Sequence, residues 1–87
     1  MMEQNTILHF PCAYPLKIMG NNSEAFAAAV QIICEKYVSP DQIHYSRRLS
    51  KGDKYLSITA TCIVQSKKQL DQIYQELKAQ ELVLFAL

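Results

Sequence analysis

Within residues 55–64 every second side chain is apolar, with the period of two expected of a β-strand that buries one face. Ile58 and Cys62 belong to the apolar parity, whereas serine and threonine occupy most of the other. A shorter alternation over residues 14–19 predicts another strand, and the apolar tail at residues 82–87 predicts a further one. We therefore predict that Ile58 and Cys62 lie in the core.

Two segments repeat their apolar side chains every three or four positions, which predicts amphipathic helices. The first covers about residues 24–37 and ends before Pro40, because proline cannot continue a helix. The second follows Ser66, which forms a capping box with Gln69 three residues later.

The order of these elements is βαββαβ once the extended residues 42–49 are joined to the next strand by the turn-forming residues 50–53. Right-handed crossovers place both helices on one face of the sheet. The expected fold class is therefore α+β, a ferredoxin-like sandwich whose four antiparallel strands lie in the order 4-1-3-2. Residues 1–87 form one domain, in which we expect residues 1–10 to be a loosely ordered N-terminal segment.

Three segments carry a family resemblance that extends from Phe10 almost to the end of the chain. They are Phe10-Pro11-x-x-Tyr14-x-x-Lys17-x-Met19-Gly20, Ser50-Lys51-Gly52-x-x-Tyr55-x-Ser57 and Tyr74-Gln75-Glu76-Leu77. Together they resemble the YbeD-like family of small bacterial proteins. The resemblance implies an α+β sandwich similar to that of ligand-sensing ACT domains, and it brings no set of catalytic or ligand residues.

Composition and charge exclude several classes of protein. Nine basic and eight acidic side chains leave a net charge of +1, without the surplus that neutralises phosphates in most nucleic-acid binders. The cysteines at positions 12, 34 and 62 lack the close spacing of a zinc site and predict free thiols. With neither a signal peptide nor an apolar run of about 20 residues, we expect a cytoplasmic protein that does not contact membrane.

Catalytic chemistry has little support in the sequence. Only Cys12, near His9, combines an accessible thiol with a nearby base, and no third group orients that base. Acylphosphatase chemistry needs a glycine-rich loop with an arginine after the first strand, and the loop here has one glycine and no arginine. We therefore expect no enzyme activity, no catalytic residues, no metal and no cofactor.

The segment at residues 51–55 begins like the Lys-Gly-aromatic signature of RNA-recognition domains. Asp53 stands where the first base-stacking ring is needed, and Lys17 or Ile18 where the second is needed. The sequence therefore disfavours nucleic acid as a partner.

Positive charge is concentrated beside the predicted hairpin. Arg47, Arg48 and Lys51 form a candidate contact for an anion or an acidic partner. The alternative is a solvated, charged edge strand that discourages aggregation.

The turn at Gly20, Asn21, Asn22 and Ser23 is a candidate site for a small ligand. A glycine allows close approach, and the N–H groups of the following helix can hold an anionic group. The alternative is that these residues only cap the helix.

The tail at residues 82–87 is apolar at both parities of a strand. Since one parity alone can face the helices, we predict that the other faces outward, at a sheet edge open to a second copy or a protein partner. Alternatively, Ile7, Leu8 and Phe10 fold back over this strand. The candidate association residues are Leu82, Leu84, Phe85 and Leu87.

The sequence thus favours a binding or regulatory module without catalysis, acting through protein contacts or a small ligand. A homodimer is one form such contacts could take. The alternative is a module that binds nucleic acid or another anion through the basic hairpin.

Overall fold

The structure, a computed structural model, describes residues 9–87. Its elements follow the predicted order βαββαβ, and two short 3₁₀ turns, Pro40–Gln42 and Lys51–Asp53, precede and follow the second strand. The main elements are β1 (Cys12–Asn21), α1 (Glu24–Tyr37), β2 (Ile43–Leu49), β3 (Tyr55–Val64), α2 (Lys67–Ala79) and β4 (Val83–Ala86). Ile7 and Leu8, expected to cover the tail, lie outside the described residues.

The four strands form one antiparallel sheet in the order β2-β3-β1-β4. The two long strands β1 and β3 pair at the centre over ten positions, from Cys12 opposite Val64 to Asn21 opposite Tyr55. Both helices pack on one face of this sheet, which leaves the opposite face open. The prediction of a ferredoxin-like α+β sandwich is confirmed, including the edge position of the last strand.

The core lies between the helices and the covered face of the sheet. One parity of β3 is entirely buried, so the placement of Ile58 and Cys62 in the core is confirmed. No polar or charged residue among residues 9–87 is buried. The helices contribute Phe26, Ala27, Val30, Ile33 and Cys34 from α1, and Leu70, Ile73 and Leu77 from α2.

Gly20 is required by packing at the end of β1. A Cβ atom at this position would overlap the Phe26 ring and lie 2.6 Å from the carbonyl oxygen of Leu82. Glycine therefore allows α1 and the segment before β4 to approach the sheet closely.

The prediction that only one parity of the tail faces the helices is wrong. The register between β1 and β4 shifts between Met19 and Gly20, which marks a β-bulge, and Leu84 is the extra residue on β4. As a result Val83 and Ala86 both point toward the helices and are buried, although they belong to opposite parities.

The capping box at the start of α2 is formed only in part. Ser66 Oγ accepts a hydrogen bond from the N–H of Gln69 at 3.1 Å, as predicted. The Gln69 side chain accepts instead from the N–H of Gln65 at 2.6 Å and donates to the carbonyl oxygen of Tyr37 at 2.7 Å. Gln69 therefore joins the start of α2 to the end of α1.

A second polar contact joins the helices on their solvent side. Glu76 of α2 accepts a hydrogen bond from Lys36 Nζ at 2.6 Å and another from the hydroxyl of Tyr37. The hydrogen bonds from the Lys36 ammonium and the Tyr37 hydroxyl lower the pKa of Glu76. We refer to Lys36, Tyr37 and Glu76 as the helix clamp.

Candidate binding surface on the open sheet face

The open face of the sheet is built from rows of side chains that cross all four strands. Directly opposed residues on antiparallel neighbours point to the same face, so the pairing register identifies each row. One row contains Leu87, Lys17, Thr59 and Ser46, and the next contains Phe85, Met19, Ser57 and Arg48. Leu87 belongs to the first row because it exchanges two backbone hydrogen bonds with Lys17, at 3.0 and 2.7 Å.

Apolar side chains occupy the β1 and β4 positions of these rows, except for Lys17 on β1. We call Met19, Phe85 and Leu87 the apolar strip. Phe85 is 47% exposed and Leu87 is 67% exposed, so both offer contact area to a partner. The open face of an antiparallel sheet is usually polar, and an apolar strip on it is therefore informative.

Basic and hydroxyl-bearing side chains surround a shallow hollow of about 390 Å³ next to the apolar strip. We call it the basic hollow. A second hollow of about 360 Å³ adjoins it and extends the same surface to Lys51 and Tyr55. The side chains of the basic hollow that point to the open face are Lys17, Arg48, Ser46, Ser57 and Thr59.

The cations of the basic hollow have no acidic neighbours on this face. The ion pairs within residues 9–87 are Lys36 with Glu76, Arg47 with Glu24 and Lys67 with Asp71. Neither Lys17 nor Arg48 therefore has a carboxylate within 4.0 Å among these residues. The open-face positions of the four strands also include no Asp or Glu. The charge of the face is thus available to an anionic partner.

The structure separates the three basic residues singled out from the sequence. Arg48 and Lys51 border the same hollow on the open face. Arg47 lies opposite Ile58 and so points to the helix side, where its Nη1 is 3.7 Å from Glu24 Oε2. Consecutive strand residues alternate between faces, and this rule could have separated Arg47 from Arg48 in advance.

Lys17 was not singled out from the sequence, although its parity in the first strand already placed it opposite the apolar set. What was missing was the register across β3, which brings it next to Thr59 and within the same hollow as Arg48. The proximity of Lys17 to Arg48 therefore becomes apparent only when the strands are paired.

The turn after β1 uses much of its polar chemistry within the chain. Asn22 donates from its side chain to the carbonyl oxygen of Asp53 and from its backbone to that of Lys54, both at 3.0 Å. Ser23 Oγ accepts from the N–H of Phe26 at 3.1 Å and so caps α1. These bonds fix the basic hairpin beside the start of α1.

The other two residues of this turn point in different directions. Gly20 packs under α1, whereas Asn21 lies on the open face opposite Tyr55. The four residues predicted as a small-ligand turn therefore do not converge on one point.

The four tail residues predicted for association are all exposed, but they do not share one face. Phe85 and Leu87 lie on the open face, Leu84 stands at the bulge and Leu82 precedes β4. Phe10 packs against the core. An association surface built from all four tail residues would therefore extend around the sheet edge.

The cysteines do not form a reactive centre in the structure. Cys34 and Cys62 are fully buried and Cys12 is partly exposed. A hydrogen bond with Cys62 and burial raise the pKa of the Cys34 thiol, which keeps it protonated and a poor nucleophile.

Within residues 9–87, no three His, Cys, Asp or Glu side chains are grouped as metal ligands. In the same range, no helix is long and apolar enough to span a bilayer.

Comparison with known proteins identifies both relatives and a structural neighbour. The family described as "Protein of unknown function (DUF493)" matches residues 5–87. A UPF0250 protein of Shewanella woodyi is 40% identical over 75 residues, which cover 86% of this chain and 84% of the relative. A UPF0250 protein of Neisseria gonorrhoeae is 38% identical over 88 residues, covering 95% and 96%. The solution structure of HP0495 from H. pylori matches 93% of this chain and 86% of its own chain, with a TM-score of 0.73. The two sequences are 17% identical, so the likeness is one of fold alone.

Proposed function

The chain belongs to the YbeD-like family of bacterial UPF0250 proteins, as its motifs predicted, and we propose that it is a cytoplasmic binding module without catalytic activity, which contacts a partner through the open face of its sheet. One observation carries the proposal. The uncovered face places exposed apolar side chains directly beside cations that have no carboxylate partner within residues 9–87.

Neither half of this surface is explained by the stability of the domain. Phe85 remains 47% exposed and Leu87 67% exposed in the isolated chain, so this part of their apolar surface adds nothing to its stability. Lys17 and Arg48 form no ion pair with residues 9–87 that would stabilise the sheet. A partner could bury the apolar strip and supply anionic groups to the cations of the basic hollow at the same time.

Capture from a cell extract of the source bacterium tests this proposal. The immobilised baits are the wild-type domain, a Lys17→Glu/Arg48→Glu variant and a Lys68→Glu control on the exposed surface of α2. We expect the wild type and the control to retain the same partners, and the open-face variant to lose them. Identical retention by all three baits would contradict a role for the open face.

Self-association at the β4 edge is a second candidate, supported by a separate observation. β4 is the last strand of the sheet, and Leu84, 52% exposed, projects at its bulge. Strand addition or apolar contact at this edge would join two copies of the chain. Sedimentation equilibrium of the wild type and of Leu84→Lys tests it, since we expect a dimer only for the wild type. A wild type that stays monomeric at millimolar concentration contradicts it.

A small ligand at the turn of residues 20–23, by analogy with ACT domains, is the weaker candidate. The side chains of Asn22 and Ser23 already bond within the chain. A ligand there would have to compete with those hydrogen bonds.

A further inference from the structure

We infer that the occupant of the open face is an amphipathic α-helix of another protein, with an apolar stripe flanked on one side by carboxylates. The inference rests on the proposed function, because it names the kind of partner that the same surface binds. It is based on the position of the apolar strip, on β4 and the adjoining part of β1, directly beside the basic hollow, which extends from Lys17 to Arg48.

The part of the open face formed by β1 and β4 is about as wide as a single helix. Neighbouring strands lie about 4.8 Å apart, so β1 and β4 together offer a track about as wide as one helix of about 10 Å diameter. A helix laid along this track would rest its apolar stripe on Met19, Phe85 and Leu87. One flank of the same helix would then lie above the basic hollow, which begins at Lys17 on β1 and crosses β3 to Arg48 on β2.

The spacing of the two cations fits acidic residues on that flank. Lys17 and Arg48 belong to adjacent rows of the open face, which are about 7 Å apart along the strands, and they lie on either side of β3, about 10 Å apart across the sheet. Carboxylates four residues apart on a helix are about 6 Å apart along its axis. An Asp or Glu pair above β3 therefore matches the spacing of the rows, and the long side chains of Lys17 and Arg48 can turn toward it from either side, while Ser57 and Thr59 of β3 can donate hydrogen bonds to it.

A second copy of this chain does not fit the same face. A two-fold arrangement that stacks the two basic hollows would bring Lys17 and Arg48 of both copies together, and in every arrangement of open face on open face the strands offer no carboxylate to neutralise them. The charge therefore favours a different, acidic partner.

Single-stranded nucleic acid fits less well than an acidic helix. Base recognition on an open sheet needs aromatic rings on the central strands, for stacking. The central positions here are Lys17, Met19, Ser57 and Thr59, and the rings nearest to them, Tyr55 and Phe85, lie in different rows on different strands.

Selection from a random 18-residue peptide display library tests the inference. The full chain is the bait, and the Lys17→Glu/Arg48→Glu variant and the Lys68→Glu control are screened in parallel. We expect enriched peptides to repeat apolar residues every three or four positions and to carry Asp or Glu on one flank. A synthetic peptide from the leading cluster should bind the wild type and the control about tenfold more tightly than the open-face variant, with the difference shrinking as salt is added.

Nuclear magnetic resonance of the ¹⁵N-labelled domain gives the site of binding. The peptide should shift the amides of Met19, Ser57 and Phe85, and leave those of α2 unchanged. The helix inference is overturned if the enriched peptides repeat apolar residues every two positions or show no preference for acidic residues. It is also overturned if the peptide shifts only the amides of the β4 edge. A 12-nucleotide single-stranded RNA that binds more tightly than the best peptide and shifts the same amides also overturns it.

The two proposals fail in different ways. If capture from the extract depends on Lys17 and Arg48 but the library gives no acidic helix, the helix inference is wrong and the proposed function stands. If neither experiment depends on these cations, both are wrong.

Discussion

The two faces of β3 have the same backbone pairing but different relations to solvent. On the covered face every residue is at most 3% exposed, from Leu56 to Val64, whereas the residues of the open face remain partly exposed. Burial accounts for the covered residues, because they form the hydrophobic core that stabilises the domain. The open residues are not required in this way, and their chemistry is therefore the better guide to function.

The largest difference between the faces should appear when a side chain is shortened. Ile58→Ala removes buried methyl groups, and we expect it to lower the free energy of unfolding by about 2 to 5 kcal/mol. The neighbouring Thr59→Ala, on the open face, should change it by no more than about 0.5 kcal/mol. Urea unfolding followed by circular dichroism measures both. Equal losses would mean that the open face contributes to stability as the core does.

A second comparison concerns the two glycines. Gly20→Ala would force a Cβ atom into the Phe26 ring, and we expect a loss of about 1 to 3 kcal/mol from overpacking. Gly52 has a φ of 82° and open space around it, so Gly52→Asn, which tolerates this backbone conformation, should cost less than about 1 kcal/mol. Thermal unfolding of both variants checks the order. A larger loss at Gly52 would place the tighter constraint at the hairpin instead.

The covered face could be predicted from the sequence because burial imposes a period. The alternation of residues 55–64 and the helix stripes led directly to the fold. The bulge at Leu84 could not be predicted, since an apolar tail gives the same pattern with or without an inserted residue. The open face was predicted less well, because Lys17 and Arg48 are 31 positions apart and meet only through the register of β3.

Charge reversal on the open face should affect binding far more than folding. Lys17→Glu/Arg48→Glu breaks no ion pair within residues 9–87, so we expect a change of at most about 0.5 kcal/mol in the free energy of unfolding. The same variant should lose the captured partners. Thermal unfolding and capture, performed on one preparation, measure the two effects together. A strongly destabilised variant would show that these cations serve the fold.

The smallest expected effect lies on the outer surface of the helices, at the helix clamp. Glu76→Gln removes the carboxylate that accepts hydrogen bonds from Lys36 and Tyr37. These hydrogen bonds lower the pKa of Glu76 from its ordinary value of 4.5. A carboxyl group with a lower pKa in the folded chain stabilises the fold above its unfolded pKa, and this contribution is lost as the pH falls through the folded value.

The stability difference between wild type and Glu76→Gln should therefore be present at neutral pH and disappear as the pH falls below 4.5. It should also shrink with added salt, because the clamp is partly exposed to solvent. Urea unfolding at a series of pH values measures the difference, with Glu81→Gln, an exposed position outside the helix clamp, measured in parallel as the control. A difference that stays constant down to pH 3 would mean that the clamp stabilises the helices by packing or neutral hydrogen bonds, independently of the charge on Glu76.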